Sequence, residues 1–223
     1  MTFYQRLIQD TERDRRFLLD QPIISDCLSG RITLEVYLAF LEQAYHHVRH
    51  TVPLLMACGA RLPDRLEWLR EAVAEYIEEE TGHQEWILGD IAACGGDPET
   101  VRHGRPGMTT DVMVAYAWDC VTRRNPVGFF GMVLVLEGTS VQLATRAADV
   151  IQQQLELPGT GFTYLRSHGV LDQQHIGLYE SLVNRLEAEN DRRAVLDTAR
   201  VMYRLYAALF ANLPRPEDRR AAA

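Results

Sequence analysis

An all-α bundle is expected from this chain, for two reasons: apolar residues recur at spacings of three and four almost throughout, and strand-like alternation is nearly absent. At 223 residues and 47% hydrophobic content, it has enough apolar material to bury one full core. The periodicity gives helices at 2–19, 22–29, 33–60, 63–94, 109–123, 126–155, 161–187 and 191–212. Thr33 caps the third and Pro63 opens the fourth, while Pro53 should kink or split the third. Gly95-Gly96-Asp97-Pro98 ends the fourth helix. Asp111 and Asn125-Pro126 start the next two, and Leu157-Pro158-Gly159 closes the long sixth. Residues 1–212 read as one domain, followed by a frayed, flexible tail over 213–223.

Composition excludes several classes. A net charge of −8 argues against a nucleic-acid partner, which wants a basic stripe. The N-terminus lacks the apolar run of a signal peptide, and no segment reads as a bilayer span; the nearest, Asn125 to Thr145, carries a buried-looking glutamate. Cys27, Cys58, Cys94 and Cys120 are widely spaced and read as core residues or free thiols. All 23 basic residues are arginine, so no lysine can serve as Schiff base, nucleophile or amine donor. A cytoplasmic homodimer acting on a small molecule, away from membranes and nucleic acid, is the expectation.

Polar residues stand where packing alone would place apolar ones on three helices. In Glu78-Glu79-Glu80-Thr-Gly-His83 the apolar stripe runs Leu66, Leu69, Val73, Tyr76/Ile77, Glu80, Ile87 and Ile91, so Glu80 faces the core and His83 joins it on the same face. Glu79, four before His83, is the alternative ligand, and a solvated acidic run is the plainer reading. Glu137 is the only charged residue between Arg124 and Arg146, in a helix apolar nearly all round. An unpaired carboxylate there would cost several kcal/mol, which a bound cation or a buried arginine would remove. Third comes His168-Gly-Val-Leu-Asp172-Gln-Gln-His175. At about 100° per residue, positions 168, 172 and 175 fall within about 60° of one another. Two imidazoles and a carboxylate with open positions suit redox-active non-haem iron. Together, three carboxylates and three imidazoles on facing helices are what two metal ions need in a bundle core.

The order Glu-x2-His, an isolated Glu some 57 residues on, then His-x3-Asp-x2-His resembles the haem-oxygenase-like di-iron oxidases and oxygenases, a branch of the TENA/PqqC-like helical fold. That family includes an alkene-forming fatty-acid decarboxylase and CADD-type proteins, and the likeness covers about residues 5–210. The Glu-x2-His spacing is nearer the decarboxylase type. The resemblance implies a bundle of seven to eight helices, with iron ligands at Glu80, His83, Glu137, His168, Asp172 and His175. It implies two Fe(II)/Fe(III) ions, with Mn as an alternative occupant of one site, and O2 as co-substrate. The activity implied is oxidation of a small organic acid, a fatty acid or an amino-acid-like compound.

Departures from the family are informative. CADD-type proteins are similar to enzymes that consume their own Tyr and Lys; without lysine that chemistry is not expected here. Thiaminase-like TENA proteins carry a nucleophilic Cys on the helix where this chain has Glu137, so that reading would need Cys120 or another thiol. Haem oxygenase uses a proximal His near its N-terminus, whereas the first histidine here is His46. A PqqC-like metal-independent enzyme, or a metal-binding protein without turnover, is also compatible with this fold.

His46 and His50 form an i, i+4 pair able to bind metal, but His46, His47 and His50 read first as surface or satisfied core groups, with pocket lining as the second reading. Tyr45 and Tyr76 are candidate pocket residues, and Trp86 and Trp118 read as core. Gly161 and Gly169 suggest that the His168–His175 helix is partly mobile and loses metal easily.

Overall fold

The computed structural model describes residues 1–215, with the side chains of all of these except residues 170–174. Among the described residues eleven α-helices run in order: α1 Phe3–Leu19, α2 Pro22–Leu28, α3 Leu34–Val48, α4 Thr51–Arg61, α5 Glu67–Glu80, α6 His83–Ala93, α7 Pro98–His103, α8 Met108–Arg123, α9 Phe129–Leu155, α10 Thr163–Asn184 and α11 Glu189–Ala211. Short 3-10 turns at Asp64–Leu66, Pro126–Gly128 and Gly159–Gly161 precede α5, α9 and α10. No strand occurs among the described residues.

The expected bundle is present, with more helices than the seven to eight anticipated, because two long helices divide and a short one was not foreseen. The 33–60 helix breaks at Arg49–His50, leaving Pro53 in the first turn of α4, where its missing N–H removes no helical hydrogen bond. The 63–94 helix breaks at Thr81–Gly82, where Gly82 takes φ 95°. The unforeseen α7 begins at Pro98, with Asp97 capping the amides of Glu99 and Thr100. At the N-terminus Thr2 and Gln5 close a capping box that starts α1.

The long helix α9 is the centre of the bundle. It packs along α10 on one side and α11 on the other; α1 lies on α11, α2 meets α9, α4 pairs with α5, and α3 packs on α6 and α8. Its first turns approach α11 closely, since a Cβ on Gly131 would lie 2.4 Å from the carbonyl oxygen of Val195. The segment Pro126–Leu155 is long and apolar enough, by length and composition only, to cross a membrane, and most of its apolar window is buried inside the bundle. Leu213, just beyond α11, also packs into the core. The expected tail otherwise falls mainly at 216–223, outside the described residues.

A polar tie sets where α11 begins. Asp191, 1% exposed, accepts from Arg65 Nη1 at 2.6 Å, from Arg65 Nη2 at 3.1 Å and from Asn125 Nδ2 at 2.8 Å. Burial would raise its pKa, but the hydrogen bonds from Arg65 and Asn125 outweigh burial and hold the carboxyl below its usual range. The folded value is therefore lower than the unfolded one. The stability this group contributes is complete above about pH 4 and is lost as pH falls through the folded value. Asp191→Asn should lower the Tm at pH 7 and flatten the fall of Tm below about pH 4; parallel Tm–pH curves for variant and wild type would refute the role of this tie.

Candidate metal centre

The site is assembled from the junction of α5 and α6, the middle of α9, and α10. Glu80 is the last residue of α5 and His83 the first of α6. The two do not share one unbroken helical face, as the sequence suggested. Gly82 in the left-handed region turns the chain between them, and their side chains still meet, with His83 Nδ1 3.1 Å from Glu80 Oε2. The pair lies off a hydrogen-bond axis, and His83 Nδ1 is buried without a hydrogen-bond partner. His83 stacks on Trp86, with ring centroids 3.9 Å apart, and meets His168 edge-on at 5.0 Å. Trp86, read from sequence as plain core, is thus part of the site's wall.

Glu80, His83 and His168 each offer one ligand atom, all within 4.8 Å of one another. Glu80 is 7% exposed. Burial pushes its pKa up, yet the imidazoles of His83, His168 and His175 more than offset burial and keep the carboxyl below its usual range. A buried, ionised carboxylate beside two imidazoles, one with a ring nitrogen lacking a hydrogen bond, suits a divalent first-row metal such as iron.

Two turns along α10, His175 faces the other carboxylates. Its Nε2 is 3.1 Å from Glu79 Oε2 and its Nδ1 is 3.5 Å from Glu137 Oε1. Glu80 therefore joins the three-ligand cluster, while Glu79, half-exposed, reaches His175. Tyr76 borders this end, its ring 5.5 Å from that of His175. Asp172 lies on α10 between His168 and His175, and its side chain falls outside the described residues. Of the six sequence-derived ligand candidates, five are thus seen at the junction of α5, α6, α9 and α10.

The placement of α10 depends on a residue that sequence reasoning did not single out. Asp90, fully buried on α6, accepts from the amides of Thr163 and Tyr164 at 2.9 Å each, capping α10 from a neighbouring helix. An aspartate two turns after His83, at a position where the stripe is otherwise apolar, was its only signal. Close packing supports the cap: a Cβ on Gly161 would lie 2.6 Å from Cys94 Sγ, and one on Gly169 would lie 2.3 Å from Thr145 Oγ1. Both glycines permit close approach. Tyr37 adds a hydrogen bond from its hydroxyl to the Gly161 carbonyl at 2.7 Å.

Glu80, Glu137 and His168 border a cavity of about 160 Å³, lined otherwise almost wholly by apolar side chains from α2, α3, α9 and the end of α11. A second cavity, of about 250 Å³ and lined by Tyr4, Arg15, Tyr179 and Tyr203 among others, reaches Glu137 from the opposite side of α9. Tyr76 lines the first cavity as expected; Tyr45 does not, and packs its ring against His46 instead. His46 and His47 are buried, correcting the surface reading. His50 accepts from Trp118 Nε1 at 3.3 Å.

The thiols are poorly placed for nucleophilic work. Cys120 lies outside the first cavity, with its Sγ 3.5 Å from Thr198 Oγ1, and burial raises its pKa. Cys27 borders the cavity, but burial pushes its thiol up to about 11, the reverse of activation.

With this geometry in place, comparison with known proteins fixes the family. The profile of the iron-containing redox enzyme family matches residues 38–207, and the chain belongs to that family. No functionally curated protein matches the sequence. Among solved structures, a Shewanella denitrificans domain of unknown function with a heme oxygenase-like fold superposes with TM-score 0.83 at 22% identity, over 96% of this chain and 92% of that one. A TenA homologue from Pseudomonas syringae gives 0.77 at 12% identity, over 95% and 91%. The heme oxygenase from Leptospira interrogans gives 0.74 at 15% identity, over 96% and 100%. The fold is heme oxygenase-like.

The Gly82 turn supplies a direct test of the site's construction. No atom lies within 4 Å of a Cβ built on either Gly82 or Gly89, so steric clash is absent from both. Gly82→Ala forces alanine to φ 95° and should cost about 1–2 kcal/mol and weaken iron loading. Gly89→Ala, inside α6, should be neutral or stabilising by up to ~1 kcal/mol with iron loading intact. Equal iron content in both variants would show that the turn does not set the ligand geometry.

Proposed function

We propose that the protein is a non-haem di-iron oxidase or oxygenase that uses O2 to oxidise an organic acid carrying an alkyl chain. The observation that carries this reading is that Glu80, Glu137 and His168 border one apolar cavity, so the polar set and a compartment for an apolar substrate are continuous. Glu80, His83 and His168 would hold one iron; Glu137 and His175, with Asp172 and the adjacent Glu79, would hold the other. Bound iron supplies the one-electron redox chemistry that lets dioxygen react with an unactivated C–H bond.

The chain's own residues supply the rest. Glu80 stays ionised despite burial because three imidazoles surround it. Glu137, in the middle of α9, borders both cavities and would stand between the two halves of the site. Trp86, stacked on His83, fixes the plane of that imidazole and covers its face. Away from Glu80, Glu137, His47 and His168 no charged or imidazole group borders the first cavity among the described residues, and this apolar length favours the alkyl chain of a fatty acid over the zwitterionic backbone of an amino acid. The apolar lining excludes water from the reacting carbon.

The test is anaerobic Fe(II) loading, then O2 exposure with a panel of fatty acids and amino acids. Medium-chain fatty acids should accelerate O2 uptake by the wild type and amino acids should not. Glu137→Ala should lose iron and slow uptake by about 100-fold or more. Unchanged iron content and uptake in that variant would defeat the di-iron reading, and iron retention without uptake for any compound would indicate a binding protein. Acceleration by amino acids alone would overturn the assignment of substrate class.

A further inference from the structure

Two buried histidines, His46 and His47, have no part in the ligand set, and of the two His47 borders the apolar cavity. His47, near the end of α3, is 2% exposed, and neither Nδ1 nor Nε2 has a hydrogen-bond partner. Buried imidazoles normally satisfy at least one ring nitrogen, since a buried polar group without a partner costs about 1–3 kcal/mol. His47 borders the apolar cavity together with Glu80, Glu137 and His168, and its ring meets Tyr206 edge-on at 6.0 Å. It lies outside the Glu80, His83 and His168 cluster. A second unpartnered group faces the same cavity: the buried hydroxyl of Ser140, one turn beyond Glu137 on α9.

The rest of the cavity gives this pair its meaning. Toward α2 and the C-terminal half of α9 the lining is Ile23, Ile24, Leu28, Leu143, Ala147 and Ile151, with no charged group among the described residues. From Glu137 to Ile151 the helix covers about 21 Å, so an extended alkyl chain can lie along it. Such a chain satisfies the apolar length and leaves only its oxygen-bearing end to be matched. A neutral imidazole offers one N–H donor and one acceptor, suited to a carboxylate or hydroxyl oxygen.

We propose that His47 binds the oxygen-bearing end of the alkyl substrate, donating its ring N–H to that oxygen, with Ser140 as the second polar contact. The inference rests on the alkyl-substrate reading given above and assigns His47 to substrate rather than to metal. Burial, followed by the neighbouring His168, His50 and His46, pushes the His47 pKa down to about 3, so the ring is neutral at physiological pH and presents a single donor. The unmatched imidazole is a cost carried by the empty protein and recovered on binding.

Calorimetric titration of the anaerobic iron-loaded protein with dodecanoate and with dodecan-1-ol, in wild type, His47→Phe and His47→Gln, tests this. Both ligands should bind the wild type. His47→Phe should weaken binding of at least one by about tenfold, equivalent to ~1.4 kcal/mol, and His47→Gln, which keeps a donor, should recover most of that loss. Loss confined to dodecanoate would identify an acid as the ligand, and loss confined to dodecan-1-ol would identify an alcohol. The ligand-free Tm of His47→Phe should equal or exceed that of the wild type, because a buried unmatched polar group is removed; a purely structural histidine would lower it. Iron content should be unchanged in both variants. Equal affinities in all three proteins, or iron loss on replacing His47, would overturn the assignment while leaving the alkyl-substrate reading standing. Failure of both ligands to bind the wild type would overturn that reading and this one with it.

Discussion

Two hydrogen bonds to one buried carboxylate hold the candidate metal centre in register. Asp90 on α6 accepts from the first two amides of α10, and α6 also begins with His83. The helix that carries one imidazole therefore fixes the start of the helix that carries the next two. Because α10 is regular, fixing its start places His168 against His83 and, seven residues on, His175 against Glu137. A cap supplied from another helix satisfies amides that would otherwise be unpaired at a packed junction, and favours the negative charge at a helix N-terminus. Burial still raises the Asp90 pKa, though the backbone hydrogen bonds work against that rise.

The second constraint is α9. Gly128, just before its start, and Gly131 in its first turn let it approach α11, which leaves no room for side chains there. The same helix carries Glu137 into an otherwise apolar segment, with a cavity on each side. A carboxylate so placed is expensive unless something cationic compensates it, and its neighbour is the His175 imidazole. Packing and site thus make opposite demands on one helix: tight and apolar at its start, polar and open in its middle. A bound metal would reconcile them, since it would turn the cost of buried carboxylates and imidazoles into binding energy.

Much of this was legible in the sequence because it is periodic. The stripe Leu69, Val73, Tyr76 and Glu80 put Glu80 on the core side, and the structure buries it. The isolation of Glu137 in an apolar run and the spacing of His168 and His175 located the other two parts. What periodicity hides is breaks and partners. The turn at Gly82 preserves the apolar repeat on both sides, so α5 and α6 read as one helix. Asp90 looks like any polar residue late in a helix until the α10 amides are brought to it. His47 sits beside two other histidines, and only burial distinguishes the one facing the cavity from His50, which accepts from Trp118. Trp86 read as core because stacking on a ligand and packing in a core demand the same residue type.

The proposed function requires two metals at the junction of α5, α6, α9 and α10. The decisive observation is Mössbauer spectroscopy of the protein loaded anaerobically with iron-57, paired with iron quantitation. Two irons per chain, in distinct environments and magnetically coupled after oxidation, are the expected result. A single iron per chain, or two that remain magnetically independent after oxidation, would contradict it.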